Sequence, residues 1–188
     1  AGDLLELDHF KFTDRNFDPY QRDTHKLIAH YKFDDATGST ATDATGNGYD
    51  GTVSNATWTN GTEQGALDFN GNNSTVDIPA ALFDNMEEEI TVSLWIYGDS
   101  TQPLVGSVFY AQSAGGNRLL NAHLPYSDSD VYWDSGNTSG YDRLKKTATS
   151  DQFEGQWNHW TFVKNTSQSD MLIFHNGDLF AASQSGSS

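Results

Sequence analysis

The chain has 188 residues, enough for one domain with a sizeable core. Its net charge is −16, from 26 acidic against 10 basic residues, so it lacks the basic footprint that a phosphate backbone requires and nucleic acid is not an expected partner. It has no cysteine, which rules out disulfides and thiolate metal sites without fixing a compartment, and no apolar run long enough to insert into a membrane.

With 17 Gly, 4 Pro and 13% aromatics, the composition favours short strands joined by polar turns. The acid excess reads first as solubility, and it also suits calcium sites or a salty medium. The start at Ala1, without Met, reads as a processed or excised piece. N-x-S/T sequons begin at Asn55, Asn60, Asn72, Asn73, Asn137 and Asn165, a number that chance produces in a chain this rich in Asn, Ser and Thr.

In residues 1–26, Leu4 to Phe12 predicts a strand, with Leu5, Leu7 and His9 alternating with Glu6, Asp8 and Phe10. A polar turn containing Pro19 follows. Residues 27–34 predict a strand whose core face is Leu27, Ala29, Tyr31 and Phe33. From Asp35 to Gly65 the chain is polar, with Val53 and Trp58 its only large apolar anchors. "GALDFNG" and "STVDIP" read as two strands of a hairpin across an Asn-rich turn. "EEEITVSLWIYG" is the clearest strand, with Ile90, Val92, Leu94 and Ile96 on one face. "LVGSVFYAQ", "NRLLNAHLP" and "SDVYWDSG" come next, then a hairpin from "GQWNHWTFVKN" and "DMLIFHNGDLF". The terminal "AASQSGSS" reads as a turn or linker. No segment keeps a 3.6-residue apolar period, and "FDNMEEE" allows one helical turn at most. The expectation is an all-β protein of about ten strands, an antiparallel β-sandwich or jelly roll.

"LIAHYKFDDATGSTATDATGNGYDGTVSNATW", "GALDFNGNNSTVDIP" and "EITVSLWIYGD", with the later "NRLLNAHLPYSDSDVYWDSG" and "GQWNHWTFVKN…MLIFHNGDLF", resemble a laminin-G-like (LamG) domain of the concanavalin A-like lectin/glucanase superfamily. The resemblance spans about residues 27–181. It implies two packed antiparallel sheets, one concave and one convex. It leaves function open, because this fold hosts lectins, adhesion modules, glycosidases and spacers. Such domains usually end in a strand reading like "IDDFRIYNRAL" that pairs beside the first strand. Nothing after Phe180 supplies it, whereas "ELDHFKFTDRNFDP" (Glu6 to Pro19) looks like that element at the other end. A slice of a tandem array, a circular permutation and an absent C-terminal part would each account for this. Residues 1–26 are thus expected to be an N-terminal strand and linker, and residues 27–188 the domain, lacking its last strands.

Calcium takes six to eight oxygens on a chain that bends tightly. In "ATDATGNGYDG", Asp43, Asn47 and Asp50 supply side-chain oxygens, glycines let the backbone wrap, and Asp34 or Asp35 adds a carboxylate. The spacing is not that of an EF-hand, but related domains often carry calcium in this region, so Ca2+ is the expected cofactor, with Asp35, Asp43, Asn47 and Asp50 as ligands. The competing reading is a connector whose Asx side chains cap its own turns. A second candidate site lies in "NAHLPYSDSDVYWDSGNTSGYDR". Sugars stack on aromatic faces and hydrogen-bond to Asn, Asp, Arg and His. Asn121, His123, Tyr132, Trp133, Asp134 and Arg143 are the expected ligand-binding residues, with Tyr126 and Tyr141 nearby. The competing reading puts Tyr132 and Trp133 in the core.

Catalysis is not expected. Retaining glycosidases of this fold carry E-x-D-x-x-E on one strand. Glu6 and Asp8 have the right spacing, but Lys11 stands where the third acid belongs. The scattered His9, His25, His30, His123, His159 and His175 show no zinc spacing. The expected function is a non-catalytic carbohydrate-binding or adhesion module, stabilised by calcium, of a secreted protein at an extracellular, cell-surface or virion-surface location. The alternative is a structural repeat that binds neighbouring protein chains, assembling through the N-terminal strand.

Overall fold

The computed structural model describes residues 5–14, 26–84, 88–137 and 140–183. Over these the chain is built from antiparallel strands, as the composition predicts. In chain order they are β1 (Leu5–Asp14), β2 (Lys26–Tyr31), β3 (Thr40–Ala41), β4 (Gly51–Ser54), β5 (Thr57–Asn60), β6 (Gly65–Phe69) and β7 (Thr75–Asp77). There follow β8 (Glu89–Gly98), β9 (Phe109–Gln112), β10 (Arg118–His123), β11 (Asp130–Asn137), β12 (Gly140–Thr147), β13 (Trp157–Asn165), β14 (Asp170–His175) and β15 (Asp178–Ser183). One 3-10 turn at Ala80–Phe83 precedes β8 and another at Ser150–Gln152 precedes β13.

The main sheet has eight strands in the order β15-β14-β13-β8-β1-β6-β5, with β2 also paired to β1. A four-stranded sheet, β12-β11-β10-β9, and a three-stranded sheet, β3-β4-β7, complete the architecture. Their apolar faces form one core with that of the main sheet: Leu7, Phe12, Val92, Leu94, Trp160 and Phe162 from one side, and Ala122, Val131, Trp133 and Leu144 from the other. This is a concanavalin A-like antiparallel sandwich.

The alternation read from β8 is the one the structure uses. Ile90, Val92, Leu94 and Ile96 are buried, while Thr91, Ser93, Trp95 and Tyr97 are half-exposed. In the 27–34 stretch Ala29, Tyr31 and Phe33 face the core, and Leu27 is half-buried. Trp160 lies in the core, whereas Trp157 is half-buried, packed edge-on to Tyr97.

Three features bear on these expectations. First, β1 pairs with β8 on one side and with β6 and β2 on the other, so it stands beside β2, where the resemblance puts the terminal strand. A register shift between Asp8 and Lys11 breaks the simple alternation and turns Phe10 into the core beside Phe12. Second, "GALDFNG" and "STVDIP" do not form a hairpin. β6 pairs with β5 and β1 in the main sheet, while β7 pairs with β4 in the small one. The Asn-rich link between them is a crossover, held by Asn70 Oδ1, which accepts from the N–H groups of Asn72 (2.9 Å) and Asn73 (3.1 Å). Third, the polar stretch from Asp35 to Gly65 contains β3, β4 and β5, whose apolar content is too low to signal strands.

Strands β7 and β9 do not pair with each other. Both line a cavity of about 240 Å³ above the main sheet, shared with Leu7, Phe10 and Phe69. This opening leaves Val76 and Phe109 half-exposed although both pack on the core.

Polar tethers join the two layers where β12 and β11 cross β13. Lys164, on the inner face of β13 and 2% exposed, donates from Nζ to Asp142 Oδ2 on β12 at 2.8 Å. Trp133 Nε1 donates to the carbonyl of Val163 at 3.0 Å. A buried ammonium deprived of its carboxylate is far costlier than an apolar pair in the same place. Asp142→Ala is therefore expected to lower the unfolding free energy by about 3 kcal/mol, and Lys164→Met combined with Asp142→Leu to restore most of it. Urea denaturation of the two variants measures both, and a neutral single variant would contradict the tether.

Candidate functional site

The four-stranded sheet turns one face to the core and the other outward, and alternation along β11 sorts its residues. Val131, Trp133 and Ser135 point in, and Tyr132 and Asp134 point out. The antiparallel register places Asn121 opposite Asp134 and His123 opposite Tyr132 on β10, and Arg143 and Lys145 opposite the same two residues on β12. Five of the six expected ligand-binding residues, Asn121, His123, Tyr132, Asp134 and Arg143, thus meet on one outward face.

Trp133 does not join them. It is fully buried and packs against Phe109 and Phe162, with ring centroids 5.8 and 5.7 Å away. The adjacent position on a strand points to the opposite face, so Trp133 belongs to the core and offers no surface to a ligand.

Asp134 is fully buried although it points outward, because other polar groups cover it. Arg143 grips it in a fork, Nε to Oδ1 at 2.7 Å and Nη2 to Oδ2 at 2.8 Å. Arg118 Nη1 donates to the same Oδ2. Both guanidiniums rest on tyrosine rings: Arg143 lies 4.8 Å from the Tyr132 centroid and 5.2 Å from that of Tyr141, and Arg118 lies 4.9 Å from Tyr141. The planar fork, the buried carboxylate and the aromatic faces together fix the guanidiniums in place.

A second chain of bonds runs beneath. His123 Nδ1 lies 2.8 Å from the Gly106 carbonyl, which can only accept, so this nitrogen carries the proton. His123 Nε2 then accepts from Asn121 Nδ2 at 3.0 Å. Asn121 Nδ2 also reaches Asp134 Oδ2 at 3.4 Å, and Asn121 Oδ1 accepts from the Ser107 hydroxyl. At the flank, Tyr132 donates to Asp128 Oδ2 at 2.6 Å; this bond holds the Asp128 carboxyl below its ordinary range and pushes the phenol up. Lys145 pairs with Asp130 at 2.7 Å, and its hydrogen bonds to Asp130 and Tyr132 raise its pKa.

Above this network is a shallow pocket of about 350 Å³, lined by Val105, Ser107, Arg118, His123, Tyr126, Tyr132 and Arg143. Tyr110 and Tyr141 stand exposed near it on β9 and β12. Arg118, Ser107 and Lys145 escaped the sequence reading. Counting back from His123 in twos gives Asn121 and Leu119; a register shift between Arg118 and Leu120 is what brings Arg118 into reach of Asp134. Only the strand register carries that signal.

The expected calcium loop is closed by its own donors. Asp43 Oδ1 accepts from the N–H groups of His30 (3.1 Å) and Thr45 (3.0 Å) and from the Thr45 hydroxyl (2.7 Å), while Oδ2 accepts from that hydroxyl (2.8 Å) and from Tyr49 N–H (3.3 Å). Asp50 Oδ1 accepts from Asp43 N–H at 2.8 Å, Asp35 from the N–H and hydroxyl of Thr42, and Asn47 Nδ2 donates to the Ile28 carbonyl at 2.8 Å. Gly46 and Gly48 take the left-handed φ values (+76° and +86°) that such turns need. Among the described residues no three His, Asp or Glu side chains form a group that could hold a metal. As placed, Asp35, Asp43, Asn47 and Asp50 each serve the loop's own hydrogen bonds, in the manner of Asx turns. Asp8, of the Glu6–Asp8 pair, has a structural task too. It is buried and accepts from the N–H (2.9 Å) and hydroxyl (2.6 Å) of Thr62, fixing the turn between β5 and β6.

A sandwich of antiparallel sheets is the architecture of a concanavalin A-like domain. Residues 70–188 match the family model Laminin_G_3, described as the concanavalin A-like lectin/glucanases superfamily, and the chain belongs to this family. No curated protein matches it.

Trp133→Ala is expected to cost about 3–5 kcal/mol of stability, as removal of a fully buried aromatic does, rather than to impair binding selectively. For Asp43, burial pushes the carboxyl up, but the hydrogen bonds from Thr45, His30 and Tyr49 outweigh it and hold the carboxyl below the ordinary 3.8. The stabilisation is present above that value and is lost as pH falls through the folded one. Asp43→Asn should therefore lose about 1–2 kcal/mol at neutral pH and show a shallower acid transition below about pH 4. A self-bonded loop also predicts equal melting temperatures in calcium and in chelator, and a clear rise with calcium would put an ion in the loop.

Proposed function

We propose that the protein is a non-catalytic carbohydrate-binding module whose ligand lies on the outer face of the four-stranded sheet. The observation that carries the reading is the pocket over Asp134, where guanidinium, imidazole, hydroxyl and phenol groups converge in fixed positions beside exposed tyrosines. This is the mixture of directed hydrogen bonds and aromatic faces that recognises a sugar.

The network also favours binding over chemistry. A glycosidase needs two carboxyl groups across the scissile bond. Among the described residues, the carboxylate directly beneath the pocket, Asp134, has both oxygens engaged by arginines, and His123 has both ring nitrogens engaged, which supports binding rather than proton transfer. A sugar-binding role accords with an extracellular or surface location. The alternative, assembly with neighbouring chains through the N-terminal strand, has no specific observation in its favour, since β1 is bonded on both sides within its own sheet.

The test is a glycan array with the native chain and with His123→Ala and Arg143→Ala. The native protein is expected to bind at least one glycan class, with a loss of about tenfold or more in each variant, the usual effect of removing a buried or charged hydrogen-bond partner. A blank array for the folded native protein would contradict the reading.

A further inference from the structure

We propose that this face selects acidic saccharides, engaging a carboxylate or sulfate ester of the sugar with Arg118 and Arg143. The inference rests on the carbohydrate-binding reading and names the ligand class of the same site.

The chain has 26 acidic and only 10 basic residues, yet among the described residues the pocket lining contains two arginines and no acid. Beneath the lining, one carboxylate, Asp134, faces two guanidiniums, so this end of the face is positive. The neighbouring Lys145 faces two carboxylates, Asp130 and Asp128, so the cluster as a whole is balanced and its positive end is the Arg118–Arg143 pair. Acids more than about 8 Å away are largely screened at physiological ionic strength, so a ligand seated on the two arginines responds first to the charges it touches.

Donor counting points the same way. A guanidinium has five N–H donors. Arg143 uses Nε and Nη2 on Asp134, with a longer contact from Nη2 to the Tyr141 hydroxyl (3.4 Å), and Arg118 uses Nη1. Both side chains remain partly exposed, at 38% and 30%. If the arginines served only to neutralise Asp134, one would suffice, and an apolar residue in place of all three would be no less stable. Two guanidiniums anchored on one buried carboxylate and stacked on tyrosines instead form a rigid donor surface that loses little entropy when it captures an anion. A neutral hydroxyl would engage these charged donors more weakly than an anion does.

Isothermal titration calorimetry with the full chain tests this, using three pairs that share a backbone: oligogalacturonate against its methyl ester, oligomannuronate against its methyl ester, and a sulfated galactan oligosaccharide against its desulfated form. Tighter binding of an acidic member, by about tenfold or more over its neutral counterpart, is expected, as is weakening as salt rises from 50 to about 500 mM. The pair that shows the preference tells carboxylate from sulfate. Arg118→Gln should abolish the preference and Arg118→Lys retain part of it, with thermal melting confirming that both fold. Equal binding within every pair, or a preference for neutral members, would overturn the acidic-ligand inference while leaving the sugar site standing. Failure of the folded protein to bind all six would remove both.

Discussion

A carboxylate on the solvent side of a β-sheet has no reason to be buried unless something is built over it. Asp134 is fully buried, and what covers it is Arg118, Arg143 and Asn121, with tyrosine rings beneath the guanidiniums. This single anion sets the positions of two long, flexible cations that would otherwise sample many rotamers. Through Asn121 it is also connected to His123, Ser107 and the Gly106 carbonyl, and so to the loop before β9. The geometry of the whole outer face follows from it.

The same strand supplies the other half of the architecture. Trp133 and Asp134 are neighbours in sequence and opposites in environment, because a strand alternates its side chains. Trp133 inserts into the core and bonds across it to Val163, while Lys164 and Asp142 form an ion pair between the same two layers. The four-stranded sheet is thus fixed to the main sheet by apolar packing and by polar tethers directly behind the candidate site. A ligand-binding face on a rigid layer holds its donors in place without help from a ligand.

The sandwich was legible because strands such as β8 carry a clean two-residue period and because aromatic, apolar and turn residues recur at short intervals. Most of the candidate site was legible too, since Asn121 and His123 share a face and Asp134 and Arg143 lie close in sequence. What failed has a common cause. Trp133 was grouped with the site by sequence proximity, although parity along β11 sends it the other way. Arg118 was missed because a register shift places it where counting by twos does not. The shift in β1 moves Phe10 off the face that simple alternation gives it, and the Asn-rich turn that suggests a β6–β7 hairpin in fact links two sheets. Irregularities of register leave no compositional trace. The "ATDATGNGYDG" loop shows a different limit, since oxygen-rich residues and glycines suit both a cation and an Asx-capped turn. In the structure the hydrogen bonds of Asp43 serve the Asx-capped turn, a role that composition does not separate from cation binding.

Membership of the concanavalin A-like superfamily sets the fold and leaves the ligand to the particular side chains of this chain. The account assigns that ligand to one face. The most direct measurement is NMR titration of the labelled protein with an oligouronate, following backbone amides and arginine Nε–H signals. The account predicts that perturbed signals cluster on Arg118, Asn121, His123, Tyr132 and Arg143, with the main sheet unaffected. Perturbations confined to the main sheet or to the loop around Asp43 would contradict it.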